Sequence, residues 1–226
     1  MVDSRRLIPD LGHRHGAPSL TNFASPNGTQ RKSCGKTGSM LESGMLLVAT
    51  PGMHDVTFDR TVIFLLEHDE SSSMGLVLNR PSDMLVSDAI PQLGNVARSE
   101  RLFVGGPVEQ DTALVLAEPV DPASPGMYFM HGGIGLLDLA DEAPTSPLER
   151  ARAFSGYAGW GPRQLESELR SGAWILARCE PSDLWDQNFQ HLWARVIGRQ
   201  GHMREFLQAY PEQPWLNWTG LRPSRR

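Results

Sequence analysis

The chain has 226 residues, of which 40% are hydrophobic, and it carries a formal net charge of −5 at pH 7. This length and composition are typical of one globular domain, and no apolar run approaches the roughly 18 residues of a transmembrane helix. Two cysteines are too few for a disulfide framework, and the first residues contain no signal-peptide-like apolar segment. We therefore expect a cytoplasmic protein with no membrane association.

The first 40 residues differ in charge from the rest of the chain. They contain six basic and two acidic residues, a formal +4, so that the remainder carries −9. A basic arm can contact nucleic acid or an acidic partner, but this one is rich in Gly, Ser, Pro and Asn and has no interleaved aromatic residues. We divide the chain into a basic leader, residues 1–40, predicted to be disordered, and a single domain, residues 41–226.

Residues 44–82 contain the longest apolar runs and predict three strands. Thr61–Leu66 is apolar without alternation, as in a strand buried on both faces. Only a short polar turn separates it from Met74–Leu78, so the two runs predict an antiparallel hairpin. Leu46–Thr50 predicts a third strand. Pro81 should end the hairpin, because proline has no amide N–H for a sheet.

The remaining pattern predicts short strands and short helices. Leu102–Gly105 and Thr112–Ala117 are close enough in sequence to form a second antiparallel hairpin. Further strands are predicted over Met127–His131, Arg152–Tyr157 and Ala173–Arg178, and helices over Val86–Leu93, Pro162–Arg170, Pro181–Trp185 and Phe189–Ile197. These elements indicate an α+β fold with a mixed, largely antiparallel sheet.

The first hairpin should bring Arg60 beside Asn79 and Arg80, because one strand begins where its partner ends. Two arginines at one strand end can bind a carboxylate or phosphate in bidentate fashion. The alternative, which the neighbouring acidic residues favour, is that the arginines form ion pairs that fix loops. The carboxylates available for such pairs are Asp55, Asp59 and Asp83.

Five further residues complete the candidate ligand or partner surface. Gly105 and Gly106 would let the backbone approach a ligand, although tight bends of a curved sheet explain them equally well. His131 ends an apolar strand and suits a pocket, although a satisfied histidine in a bend is more common. Trp160 would offer a stacking platform or pack in the core. Glu67, at the turn end of the first hairpin, is an acid–base candidate.

Motifs of established chemistry are absent from the sequence. It contains no GxSxG, HExxH, CxxC or P-loop pattern, and no lysine follows residue 36. We therefore assign no catalytic residue, no cofactor and no metal ligand.

Several long motifs identify a family. The segment GMLLVATPGMHDVTFDRTVIFLLEHDESSSMGLVLNRPS, together with FVGGPV, GYAGWGP and a QLE segment leading to GAW, resembles the YqgE/AlgH family, UPF0301. The resemblance covers about residues 45–217. It implies a strongly bent sheet tending to a pseudo-barrel with flanking helices, in a mostly bacterial, cytosolic protein. It implies no established catalytic residue.

The chain departs from the family pattern at two places. Arg163 stands where the family usually has Gly, and we expect little effect on the fold because a helix start tolerates arginine. The turn Ser71–Ser73 replaces the usual Gly-Ala before Met74.

Three functional hypotheses follow. The first is a non-catalytic regulatory or binding protein, whose partner is a protein or a small anionic ligand. The alternative is an enzyme or sensor for a small phosphorylated or carboxylated metabolite, with His131 or Glu67 as acid–base. The third is a DNA-binding regulator, against which the −9 body and the missing helix-turn-helix pattern argue.

Overall fold

A computed structural model describes most of the predicted domain. The described residues are 41–51, 53, 55–93, 101–121, 126–131, 133–137, 139 and 147–201. The predicted leader, residues 1–40, lies outside these ranges, so its division from the domain stays a prediction.

The described strands form one ten-stranded sheet. They are β1 (Met45–Ala49), β2 (Val62–His68), β3 (Ser73–Val77), β4 (Pro81–Leu85), β5 (Arg101–Val104), β6 (Val108–Pro119), β7 (Met127–His131), β8 (Ile134–Leu137), β9 (Leu148–Trp160) and β10 (Trp174–Arg178). The main path runs β10-β1-β2-β3-β9-β6-β8-β7, and β4 joins through β5, which pairs with β9. The β5–β9 pair is parallel and every other described pair is antiparallel.

Four short helices accompany the sheet in the described part of the chain. They are α1 (Val86–Ala89), α2 (Gln164–Arg170), α3 (Pro181–Trp185) and α4 (Leu192–Gly198), with 3₁₀ turns at Pro91–Leu93 and Phe189–His191. None of these helices has the length and apolar character needed to cross a membrane. The curled sheet forms a half-barrel, so the predicted α+β class with a strongly bent, largely antiparallel sheet is confirmed.

The hairpin predicted first is confirmed. Strands β2 and β3 pair antiparallel with Ile63 opposite Val77 and Phe64 opposite Leu76. The apolar run Val62–Leu66 is almost wholly excluded from solvent, at 2% exposure or less, as expected for a strand covered on both faces. Its hydrophobic side chains therefore hold the hairpin in one register.

The predicted hairpin of β5 with β6 is wrong. The long strand β9 lies between them: Phe154 is opposite Phe103 of β5 on one side and Leu114 of β6 on the other. The short connection of β5 to β6 suggested direct pairing. In the structure, β9, which arrives some forty residues later, separates the two strands.

The connection from β5 to β6 crosses directly over the backbone of β9. A Cβ atom on Gly105 would lie 2.2 Å from the Gly156 carbonyl oxygen, and one on Gly106 would lie 2.1 Å from the Tyr157 carbonyl carbon. No side chain fits at either position. The crossing therefore accounts for this glycine pair through close packing of backbone on backbone.

Smaller differences from the predicted elements have local causes. Pro81 ends the first hairpin but also begins β4, which is compatible with proline because it stands at the first strand position. The helix predicted over Val86–Leu93 is divided into α1 and a 3₁₀ turn at Pro91. Helix α2 begins at Gln164 rather than Pro162, because Arg163 adopts a left-handed conformation with φ 58°.

Two hydrophobic clusters of the core lie within the described residues. One joins β1, β2 and β3 to α2 and β10 through residues such as Leu47, Ile63 and Leu165. The other joins β5, β6 and β9 to α1 through residues such as Leu102, Val115 and Ala153. The hairpin of β2 and β3 and the long strand β9 therefore form the rigid frame that carries the polar residues described next.

Candidate functional site

Asn79 ties together the two strands at the open end of the first hairpin. The side chain is 7% exposed. Its Nδ2 donates to the Arg60 carbonyl at 2.8 Å, and its Oδ1 accepts from the amide of Val62 at 3.0 Å. The backbone of Arg60 and the end of β3 are thus held together, as the hairpin geometry predicts. We refer to Arg60, Asn79 and Arg80 as the arginine cluster.

Both guanidinium groups of the arginine cluster are held by neighbouring groups. Arg80 Nη2 donates to the Asp59 carbonyl. Burial lowers the pKa of Arg80, and the nearby charge of Asp59 opposes that shift. The Arg60 guanidinium lies over Trp193 of α4, with 5.3 Å from Cζ to the ring centroid. Trp193 is in turn fixed by an indole hydrogen bond of 2.8 Å to the Ala49 carbonyl.

The acidic residues proposed as ion-pair partners have mostly other roles. The Asp55 carboxylate accepts hydrogen bonds from the amides of Thr57 at 2.7 Å and Phe58 at 3.3 Å, so it shapes the loop before β2. Asp83 lies 3.8 Å from Arg101 in an exposed pair. Of the three candidates, Asp59 contacts the arginine cluster, where its main-chain carbonyl accepts the hydrogen bond of Arg80.

Glu67 lies at the other end of the hairpin, in the exposed bulge before the turn. Beside it, His68 Nδ1 is 2.8 Å from Ser73 Oγ, and Asp69 Oδ1 accepts the amides of the following turn residues. These contacts close the polar turn. Glu67 and the arginine cluster are separated by nearly the full length of β2, roughly 20 Å.

Trp160, the last residue of β9, is buried in the core beside the turn end of the first hairpin. It is 6% exposed and lies opposite Ser73. Its indole Nε1 donates to Glu168 Oε2 at 2.9 Å, and Trp174 donates to the same oxygen at 2.7 Å. The two indole rings meet edge to face. Packing and this shared acceptor explain Trp160, and its ring faces offer no open stacking platform.

His131 ends β7, at the far edge of the sheet from β2 and β3. Strands β9, β6 and β8 lie between β3 and β7 along the sheet. The described side chains do not include that of His131. Within the sheet, the candidate residues therefore fall into three places. The arginine cluster and the glycine crossing are neighbours, because the amide of Val104 donates to the Arg80 carbonyl at 2.7 Å and the Gly105 carbonyl accepts from the amide of Val77 at 2.9 Å. The turn end with Glu67 and Trp160 and the edge with His131 are the other two places.

Sequence reasoning missed a buried cation, Arg152. It lies in β9 at 3% exposure, with its Cζ 4.6 Å from the centroid of the Phe103 ring. Its Nη2 donates to the Asp186 carbonyl at 2.8 Å. Burial lowers the pKa of Arg152 to about 10, partly offset by the charge of Asp186, so the group is still positively charged at neutral pH. The available signal was a charged residue between Ala151 and Ala153, at the start of the predicted strand Arg152–Tyr157.

The partners of Arg152 belong to an ion-pair network on α3 and α4. Asp183 is fully buried and receives both terminal nitrogens of Arg199, at 3.0 and 2.6 Å. Arg195 Nη1 donates to Asp186 Oδ2, and its Nη2 lies 3.6 Å from Asp183 Oδ1. Asp183 and Asp186 are three residues apart, and Arg195 and Arg199 are four residues apart. At these helical spacings, the two members of each pair lie on the same side of the helix.

The described residues offer little for nucleophilic catalysis or metal binding. Burial raises the pKa of Cys179 to about 12, so this side chain is a thiol rather than a thiolate at neutral pH. No cluster of three or more His, Cys, Asp or Glu with metal-binding geometry occurs among them.

Comparison with protein families gives a match over most of the domain. The family model described as AlgH-like matches residues 46–204. A UPF0301 protein of Streptomyces avermitilis is 45% identical over 185 residues, covering 77% of this chain and 95% of that protein. A UPF0301 protein of Thermobifida fusca is 36% identical, with the same two coverages.

Two solved structures have the same fold. A crystal structure of a Corynebacterium diphtheriae protein aligns with a TM-score of 0.67 at 28% identity, covering 77% of this chain and 94% of that one. The solution structure of the AlgH protein from Pseudomonas aeruginosa aligns with a TM-score of 0.60 at 30% identity, covering 79% and 99%.

Proposed function

The chain belongs to the AlgH-like family, UPF0301, and on that premise we propose that it is a non-catalytic regulatory or binding protein whose arginine cluster contacts an anionic group. The anionic group belongs to a small ligand or to an acidic segment of a partner protein. Cytoplasmic location is part of the same proposal.

The observation that carries this proposal is that both guanidinium groups are fixed before any ligand arrives. Arg80 is held by the Asp59 carbonyl and Arg60 by the Trp193 ring. Arginines that are already ordered lose little side-chain entropy when they bind a carboxylate or phosphate. Arg60 also has a left-handed backbone, φ 52°, which is a costly conformation for a residue other than glycine. Such strain is found most often where function maintains it.

The distribution of charge also supports anion binding by the arginine cluster. The chain beyond residue 40 carries a formal −9, so two adjacent arginines are a local exception on an acidic body. The Asp55 carboxylate accepts backbone amides of its own loop. The charge of Asp59 acts on Arg80, so an incoming anion would compete with Asp59 for that guanidinium group.

The alternative is an enzyme or sensor that acts on a small phosphorylated or carboxylated metabolite. In that case the arginine cluster would hold the anionic group, with His131 or Glu67 as the acid–base. Both versions lose support, because Glu67 is at the opposite end of β2 and His131 ends β7, three strands away from β3 along the sheet. Direct DNA binding is the third and least favoured function, since the −9 body would repel the phosphate backbone.

A thermal-shift titration of the full chain tests the proposal. We would use inorganic phosphate, citrate and a poly-glutamate peptide at constant ionic strength. A ligand of the native state raises the melting temperature by mass action. We expect the shift to be lost in Arg80→Ala and reduced in Arg80→Lys, which keeps the charge but not the planar fork.

The matched control is Arg150→Ala, which removes an arginine paired with Glu118 at 3.2 Å elsewhere on the sheet. This variant should keep the full response. If no anion shifts the melting temperature, or if Arg150→Ala weakens the response as much as Arg80→Ala, the proposed binding role of the cluster is wrong. Turnover of an anionic substrate that disappears in Arg80→Ala would instead establish the enzyme alternative.

A further inference from the structure

The left-handed backbone of Arg60 is held by buried residues on both sides. The Asn79 side chain donates to the Arg60 carbonyl at 2.8 Å and accepts from the amide of Val62 at 3.0 Å. The Thr61 hydroxyl donates to the Phe58 carbonyl at 2.8 Å, and Thr61 has no exposed surface. Asn79 therefore does more than join two strands, because it also helps to keep Arg60 at φ 52°, which is unfavourable for a residue with a Cβ atom.

A second set of contacts fixes the side chain of Arg60. Its guanidinium carbon lies 5.3 Å from the centroid of the Trp193 ring. Trp193 is 5% exposed, and its indole N–H donates to the Ala49 carbonyl at 2.8 Å. The amide of Ala49 in turn donates to the Thr61 carbonyl at 3.0 Å. The ring beneath the guanidinium group is therefore attached to the same stretch of backbone that carries Arg60.

Together these contacts form a closed ring. The Arg60 side chain contacts Trp193, Trp193 is bonded to Ala49, Ala49 is bonded to Thr61, and Thr61 follows Arg60 in the chain. The ring joins β1 and the start of β2 to α4, so it exists only in the folded protein. A residue other than glycine keeps a left-handed backbone only where its surroundings enforce it, and this ring supplies that constraint.

We propose that Asn79 and Trp193 are positioning residues for anion binding. Asn79 holds the backbone of Arg60, and Trp193 holds its guanidinium group, so that an anion meets Arg60 already oriented. This inference rests on the proposed function of the arginine cluster, and it adds to that site a residue of α4. Neither positioning side chain is charged, and neither has to touch the anion.

An aromatic ring suits the task of positioning an anion-binding arginine. A ring attracts the guanidinium group through its quadrupole and carries no net charge of its own. Trp193 therefore orders Arg60 without neutralising it, whereas a carboxylate in the same place would compete with the incoming anion for the same N–H groups. The large, buried indole is also rigid, because its N–H is bonded to the main chain of β1.

Loss of either positioning contact should weaken anion binding through the entropy of Arg60. Arginine has a long side chain with many rotamers, and a ligand that has to order it loses part of its binding free energy. Without the bond from Asn79, the backbone of Arg60 can relax to a negative φ, which turns the side chain away from Trp193. Without the ring of Trp193, the backbone is still held but the guanidinium group is less ordered.

NMR spectroscopy of the full chain during titration with inorganic phosphate or citrate tests geometry and binding separately. The ring current of Trp193 should shift the Arg60 side-chain protons upfield, and Arg60→Ala assigns these signals by their loss. We expect the upfield shift to disappear in Trp193→Leu and to shrink in Asn79→Ala. Anion affinity should fall about tenfold in both, the effect of ordering one long side chain on binding. Trp193→Phe keeps an aromatic face and should retain most of the shift and the affinity.

Trp160→Leu is the matched control, because Trp160 is also buried and its indole N–H donates to Glu168 at 2.9 Å, at the other end of β2. It should leave the Arg60 signals and the anion affinity unchanged. Equal losses of affinity in Trp193→Leu and Trp160→Leu would show that Trp193 only supports the core, and the inference would be wrong. It would also be wrong if the Arg60 signals keep their shift in Trp193→Leu and Asn79→Ala. If the wild type shows the shift but binds neither anion, the proposed function itself is wrong, and the positioning roles with it.

Discussion

Arg163 occupies a backbone conformation that suits glycine. Its φ of 58° places it in the left-handed region, immediately before α2. From the family resemblance we expected little effect on the fold of an arginine where the family usually has glycine. For stability, the left-handed conformation indicates a cost of about 1 kcal/mol for any side chain with a Cβ atom.

We expect Arg163→Gly to increase the free energy of unfolding by about 1 kcal/mol, and the melting temperature by about 2–4 °C. Differential scanning calorimetry measures both. The control is Arg170→Gly in the last turn of α2, where the helical backbone makes glycine unfavourable and the same substitution should destabilise. Destabilisation by both substitutions would show that the Arg163 side chain outweighs its backbone strain.

The lowered pKa of Asp186 predicts that the folded protein loses stability at acidic pH. The amide of Asn188 donates to its Oδ1 at 2.7 Å, and this bond, together with Arg195, holds the pKa of Asp186 below 3.8. A carboxyl group with a lowered pKa in the folded state contributes stability above its unfolded pKa. That contribution is lost as the pH falls from about 4 through the folded pKa.

We therefore expect melting temperatures of the wild type to fall more steeply below pH 4 than those of Asp186→Asn, relative to each protein at pH 6. Melting curves at half-unit intervals from pH 2.5 to pH 6 would reveal the difference. Parallel curves for the two proteins would mean that Asp186 has the same pKa in the folded and unfolded chain.

At the scale of elements, the crossing of β9 by Gly105 and Gly106 predicts strong intolerance of side chains. We expect Gly105→Ala to destabilise by about 3 kcal/mol or more, because its Cβ would overlap the Gly156 carbonyl oxygen. Gly172→Ala is the comparison: it has φ 77° but open space around the Cβ position, so strain alone should cost about 1 kcal/mol. Urea unfolding of both variants would separate overlap from strain, and equal losses would contradict the crossing.

Local pairing was predictable from sequence and distant pairing was not. The hairpin of β2 and β3 follows from two apolar runs separated by a polar turn, and it correctly brought Arg60 to Asn79. The same reasoning failed for β5 and β6. Nothing in a short connection reveals that another strand, β9, will be inserted between its two ends.

The buried ion pairs were unpredictable for a related reason. Arg152 and Asp186 are separated by 34 residues, and their contact depends on how α3 packs beside β9. Nothing in the sequence of α3 and α4 revealed that Asp183 is fully buried. A carboxylate can be buried there because two guanidinium nitrogens hold it, and that arrangement exists only after the sheet has formed.

At the scale of the whole molecule, we predict that residues 41–226 fold without residues 1–40. The AlgH-like match begins at residue 46, within the predicted domain. Deletion of the leader should leave the melting temperature within about 1 °C, which is the usual size of effects outside a packed core. It also changes the formal charge from −5 to −9. Binding to duplex DNA at low salt should therefore be absent after deletion. If binding is retained, the acidic domain itself contacts DNA, which would contradict this prediction.

The position of β9 also sets the order in which the molecule can assemble during synthesis. Strands β3, β5 and β6 all contact β9, yet they leave the ribosome before it. Strand β1 likewise pairs with β10, which is synthesised much later. Until residue 160 has emerged, β5 and β6 border a gap that their own connection spans. The nascent chain therefore keeps open strand edges until late in translation, the situation in which chaperones are most useful, and the completed domain should fold in milliseconds to seconds, as sheets rich in long-range contacts do.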